Sequence, residues 1–151
     1  MENKNHCLII IGTPRSGHSI LAGCLKLLGA DLGKNIVFND RHGGKDQFEN
    51  NDLMLAHNIL LRDLGCSWDM IGGLPHEWQT SKAADNAKQK IRSILENNFT
   101  RNRLWTVKDP RICKFLPLWL SLLEEMNVKP VLVFSKPIPT KRMCYKLKPI
   151  I

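Results

Sequence analysis

The chain has 151 residues, enough for one domain that buries roughly 70% of its unfolded surface, and with 43% hydrophobic and 24% charged residues it is neither a disordered nor a fibrous sequence. A formal net charge of +8 suits a polyanionic partner, and phosphorylated or sulfated nucleotides and nucleic acid both qualify. No run approaches the roughly 20 apolar residues of a membrane span, and the first residues do not read as a signal peptide, so a cytoplasmic protein is expected. The five cysteines, at 7, 24, 66, 113 and 144, form no C-x-x-C pair and are expected as reduced thiols, most of them buried.

Cys7-Leu8-Ile9-Ile10-Ile11 is a short apolar run bounded by Gly12, the pattern of a strand buried on both faces in a parallel sheet. Ile20, Leu21, Cys24, Leu25 and Leu28 follow at helical spacing, and Gly29 stands where a left-handed cap is wanted. Between strand and helix lies Gly12-Thr13-Pro14-Arg15-Ser16-Gly17-His18-Ser19. A loop wrapped around a helix start turns backbone N–H groups inward and adds the helix dipole, so it stabilises an anion. Gly12, Gly17 and Ser19 occupy the glycine and hydroxyl positions of G-x-x-x-x-G-K-[ST], but His18 takes the place of the lysine that reaches the outer phosphates of a nucleoside triphosphate. The loop is therefore suited to phosphate or sulfate rather than to ordinary ATP or GTP hydrolysis. Arg15 within it supplies a planar, permanently charged fork.

Ala30 to Lys45 reads as a loop rich in Gly, Asn and Asp. Leu53, Ala56, His57, Leu60, Leu61 and Leu64 form a helix face that ends at Gly65, with Asn50 or Asn51 as N-cap and Glu49 at the helix mouth. His57, on that apolar face, is expected in the core. Residues 66–80 are an irregular connection whose Trp68 and Trp78 either pack or wall a cleft. From Ser81 a polar helix turns Ala84, Ala87, Ile91, Ile94 and Leu95 inward.

Leu104-Trp105-Thr106-Val107 is a second strand ending in Lys108-Asp109-Pro110-Arg111. Beyond the carboxyl end of a parallel strand this tetrad faces either a ligand or only its own salt bridges. A helix over 113–126, with Pro117 in its first turn, leads through Val128-Lys129-Pro130 to a third strand, Val131-Leu132-Val133-Phe134. Three apolar strands separated by helices predict a parallel α/β sheet.

Pro14-Arg15-Ser16-Gly17 after a strand, Phe48-Glu49-Asn50, and Leu104 to Arg111 together resemble the sulfotransferases that use 3′-phosphoadenosine 5′-phosphosulfate (PAPS), in particular bacterial members, over roughly residues 7–134. The resemblance implies a P-loop nucleoside-triphosphate-hydrolase-like, three-layer α/β/α fold with a parallel sheet, here incomplete. Residues 1–137 would be the N-terminal part of such a domain and 138–151 an atypical basic tail, as in a truncated family member. It implies PAPS as cofactor without a metal, and a small-molecule or carbohydrate acceptor rather than nucleic acid.

The resemblance also distributes roles. Thr13, Pro14, Arg15, Ser16, Gly17, His18 and Ser19 would cradle the 5′-phosphosulfate. Ser135 stands in the Ser135-Lys136-Pro137 segment, where the family usually runs into an arginine that grips the 3′-phosphate. Arg15 would stabilise the leaving oxygen and Lys108 the sulfonate. Glu49 is the expected general base, with a helix-terminus charge as its plainer role and His18 as the competing base or phosphate ligand. Two other functions fit the same residues: a small P-loop kinase or NTPase, which the absent lysine disfavours, and a degenerate nucleotide-binding protein without transfer activity.

Overall fold

A computed structural model describes residues 5–12, 16–39, 45–70, 72–99 and 103–136. In chain order they form β1 (Asn5–Gly12), α1 (His18–Leu27), β2 (Ile36–Asn39), β3 (Lys45–Asn50), α2 (Asn51–Asp63), α3 (Lys82–Asn98), β4 (Leu104–Lys108), α4 (Ile112–Glu125) and β5 (Val128–Ser135), with a 3-10 turn at Trp78–Thr80. Thr13, Pro14, Arg15, Pro137 and the tail 138–151 lie outside the described residues. No described helix is long and apolar enough to cross a membrane.

The apolar run at the start becomes the middle of a three-stranded parallel sheet, in the order β4-β1-β5. β4 runs beside β1 from Leu104 opposite His6 to Lys108 opposite Ile10, and β5 from Val128 opposite Asn5 to Ser135 opposite Gly12. Successive side chains on β1 point to opposite faces. Cys7, Ile9 and Ile11 enter the larger core with Leu60, Ile91 and Trp119 from α2, α3 and α4, whereas Ile10 joins Ala22 of α1 and Leu32 in a smaller core. The result is an α/β fold with helices on both faces of a parallel sheet. Each fully buried isoleucine or leucine in it contributes about 1.5–3 kcal/mol.

Local chemistry sets the element ends. The Asn50 side chain accepts hydrogen bonds from the Asp52 and Leu53 N–H groups, both at 3.0 Å, and so caps α2. Ser81 caps α3 in the same way through the Ala84 N–H at 3.1 Å. The expected stops for α1 and α2 are in place, Gly29 and Gly65 having φ of 95° and 69°. Lys88 and Arg92 of α3 both pair with Glu125 of α4 across the helix interface.

Four features depart from the sequence-based expectation. The 30–45 loop contains β2 and the first residue of β3, which pair as an antiparallel ribbon. Asp31 bridges to Trp105 and covers the outer edge of β4, its carbonyl accepting from the Thr106 N–H at 2.7 Å. Pro130 lies inside β5 rather than in a turn before it. Among the described strands β5 is at the edge, where a missing N–H donor is tolerated. Helix α4 is bent at Phe115, whose φ of −107° and ψ of 16° are not helical, so Pro117 falls in the first turn of the segment after the bend.

The described cysteines, at 7, 24, 66 and 113, are free thiols, but only Cys7 is buried and Cys24 and Cys113 are exposed. Trp78 packs edge-on against Phe115 at 5.4 Å between ring centres, while Trp68 is exposed.

Candidate functional site

All three parallel strands end on one rim, at Gly12, Lys108 and Ser135. The chain leaves β4 through α4 and returns as β5 on the other side of β1. Strand order therefore reverses at β1, and the crevice beyond that point is where open α/β sheets hold ligands.

Glu49 reaches this rim because the β2–β3 ribbon is irregular. Ile36 pairs with Asn50 and Phe38 with Asp46, so β3 accommodates two more residues than β2 over the same stretch. Phe48 lies in this bulge at a positive φ of 55°. Its ring packs on Gly23 of α1, where a Cβ would stand 3.3 Å from Phe48 Cζ. The next side chain, Glu49, meets the end of β4 instead. Lys108 Nζ donates to Glu49 Oε1 at 2.5 Å, and both side chains are nearly buried. Arg111 Nη1 stands 3.8 Å from the other carboxylate oxygen. Beside the pair is a cavity of about 10 Å³ lined by Phe48, Asn50, Thr106 and Lys108, room for about one water.

A second chain of contacts fixes Arg111. Its Nη1 and its backbone N–H both donate to Asp109 Oδ1, at 2.8 and 2.9 Å, and its Nε donates to Asn58 Oδ1 at 2.8 Å. The other Asp109 oxygen lies 2.8 Å from His57 Nδ1, and the Trp119 indole N–H donates to His57 Nε2 at 3.0 Å. An indole nitrogen can only donate, so Nε2 must be the bare acceptor and Nδ1 must carry the proton that Asp109 receives. His57 is thus the core residue expected from its helix face, fully buried and held on both ring nitrogens. Burial alone would raise the Asp109 carboxyl, but the His57 hydrogen bond and the Arg111 guanidinium outweigh it and hold the group at about 2.

The described residues of the loop before α1, Ser16 and Gly17, lie on the same rim. Gly17 is the N-cap of α1, and Ser19 is half-buried in its first turn. Ser16 Oγ is 2.8 Å from His18 Nε2, and the Ser135 hydroxyl donates to the Ser16 carbonyl. A Cβ at Gly12 would overlap both the Ser135 carbonyl oxygen and the His18 ring, so only glycine fits at this position. Burial, and then the nearby Lys108 charge, lower the His18 pKa. His18 is therefore near Lys108, and hydrogen bonds link it through Ser16 to Ser135. Thr13, Pro14 and Arg15 lie outside the described residues.

No protein-family model, curated protein or solved structure matches the chain. Among the described residues no group of three or more His, Cys, Asp or Glu converges as a metal site.

Sequence reasoning did not find Asn58, or the role of His57 and Trp119 as supports of Asp109. Asp109 is 52 positions from His57, and no local spacing signals that contact. Chemically the rim offers hydroxyls and a helix start for an anion, and next to them a carboxylate whose two oxygens face two different cations.

Proposed function

We propose that the chain is a sulfotransferase-type P-loop domain that moves a sulfuryl group from PAPS to a hydroxyl or amine acceptor. The observation that carries this reading is the meeting of the Ser16–Ser19 loop, Ser135 and the Glu49–Lys108 pair at the reversal point of the sheet.

In the proposed reaction the loop N–H groups and Ser19 hold the 5′-phosphate, with Arg15 at the leaving oxygen. The acceptor oxygen or nitrogen attacks sulfur in line. The bond from sulfur to the bridging phosphate oxygen breaks, and adenosine 3′,5′-bisphosphate leaves with the electron pair. Glu49 takes the acceptor proton. Lys108 and Arg15 neutralise charge on the transferring group and the leaving oxygen, the kind of fixed electrostatic help on which such transfers depend. A second reading, an anion-binding protein without transfer, is favoured by the closed Glu49–Lys108 pair, which ties the proposed base to the proposed sulfonate ligand.

Titration calorimetry with adenosine 3′,5′-bisphosphate and with ATP·Mg²⁺ tests the reading. Preference for the bisphosphate is expected, and preference for ATP would instead indicate a kinase or NTPase. Transfer of label from PAPS to a panel of sugars and phenols then separates an enzyme from a binding protein, because bisphosphate binding with no turnover on any acceptor points to the latter.

A further inference from the structure

Two residues that break local rules meet in one contact. Phe48 holds a φ of 55°, a conformation that bulky residues rarely take and that persists only where the surroundings impose it. Gly23 stands in the middle of α1, where glycine is less favourable than alanine. The Phe48 ring fills the space that this glycine leaves open: a Cβ on Gly23 would stand 3.3 Å from Cζ and 3.4 Å from Cε2. Phe48 also packs against the small core of Ile10, Ala22 and Leu32, and it shares with Lys108 the lining of the cavity beside the ion pair. The contact joins the helix that starts at the anion loop to the strand that carries Glu49. Bulges re-aim side chains, and this one turns Glu49 toward the end of β4, where Lys108 Nζ meets it at 2.5 Å.

Resting on the sulfotransferase reading, we infer that Phe48 is a positioning residue for the proposed base: its ring, seated on Gly23, fixes where the Glu49 carboxylate stands relative to the start of α1. On that reading the phosphosulfate is held at the helix start and the acceptor proton goes to Glu49, so the Phe48–Gly23 contact sets the span between donor and base. Alanine at 48 removes the ring whose packing holds the backbone in the left-handed region, and the strand can then relax to ordinary extended dihedrals and turn Glu49 away. Alanine at 23 acts from the other side, by pushing the ring off α1. Neither residue has a polar side chain to offer the nucleotide, so donor affinity is not expected to follow turnover.

Transfer of label from PAPS to the sugar and phenol panel, together with calorimetry of adenosine 3′,5′-bisphosphate binding, tests this on the full chain and on Phe48→Ala, Phe48→Leu and Gly23→Ala. Phe48→Ala should lower kcat about tenfold or more, as misplaced reacting groups do, while the bisphosphate Kd stays within about twofold. Phe48→Leu, which keeps an apolar side chain against Gly23, should recover most of the loss. An unchanged kcat in Phe48→Ala would show that the ring does not place the base. Turnover and affinity falling together would show that it only holds the fold, and a loss as deep in Phe48→Leu would show that packing on Gly23 is not the cause. Each of these results overturns the inference and leaves the sulfotransferase reading standing, since the unaltered chain still transfers. If the unaltered chain transfers to no acceptor, that reading falls and the inference with it. Should Phe48→Ala fail to fold, Gly23→Ala decides, because alanine favours the helix: kcat should fall about threefold with bisphosphate affinity kept, and an unchanged kcat refutes the positioning role.

Discussion

Asp109, only 3% exposed, has a carboxyl held at about 2 where the ordinary value is 3.8. Its folded value lies below its unfolded one, so the unfolded chain binds the extra proton and the contribution is present above pH 4 and lost as pH falls through 2. The gap corresponds to about 2 kcal/mol. Urea midpoints measured between pH 2 and 5 should fall with acid in the unaltered chain and fall less steeply in Asp109→Asn; parallel slopes would show that Asp109 is not the group concerned. His18 also has a lowered pKa, through burial first and the Lys108 charge second, so its neutral form is favoured in the folded chain. An anion seated against it reverses the balance, and binding should draw in a proton. Calorimetry of bisphosphate binding near pH 6, in buffers of different ionisation heat, should report that uptake, and His18→Gln should abolish it.

Asn50 joins β3 to α2. Its carbonyl oxygen caps the helix while its amide donates to the Lys34 carbonyl at 2.5 Å. Asn50→Ala removes the cap and that tie and should cost about 1–2 kcal/mol of stability in urea unfolding, against no more than a few tenths for an exposed substitution. This junction was legible in the sequence, because an Asn ahead of a helical apolar face is a local signal. So were the three parallel strands, whose apolar runs stand apart from their flanks. The ribbon of β2 and β3 was not legible. β2 is only four residues long, β3 is mostly polar, and Phe48 adopts a backbone conformation that bulky residues rarely take, so no alternation betrays the ribbon. The first half of β5 was hidden by Pro130, which reads as a turn wherever the edge position is unknown. The Glu49–Lys108 pair spans 59 positions, so its members could be singled out separately while their contact could not.

The sheet is covered unevenly. β4 has Asp31 along its outer edge, but β5 shows Leu132 39% and Phe134 76% exposed. A parallel strand this apolar is ordinarily buried on both faces, and β5, which is at the edge among the described strands, is one that invites pairing with other chains. Phe134→Lys should therefore leave stability within about 0.5 kcal/mol while lowering self-association in concentration-dependent sedimentation. Unchanged association would show that this edge is not sticky. The same strand ends in Ser135, whose hydroxyl reaches the Ser16 carbonyl. Fraying of β5 from its last residue would thus release Ser16, and on the proposed function a nucleotide seated there would act as a clasp. Occupancy at the rim and integrity of β5 would then rise and fall together.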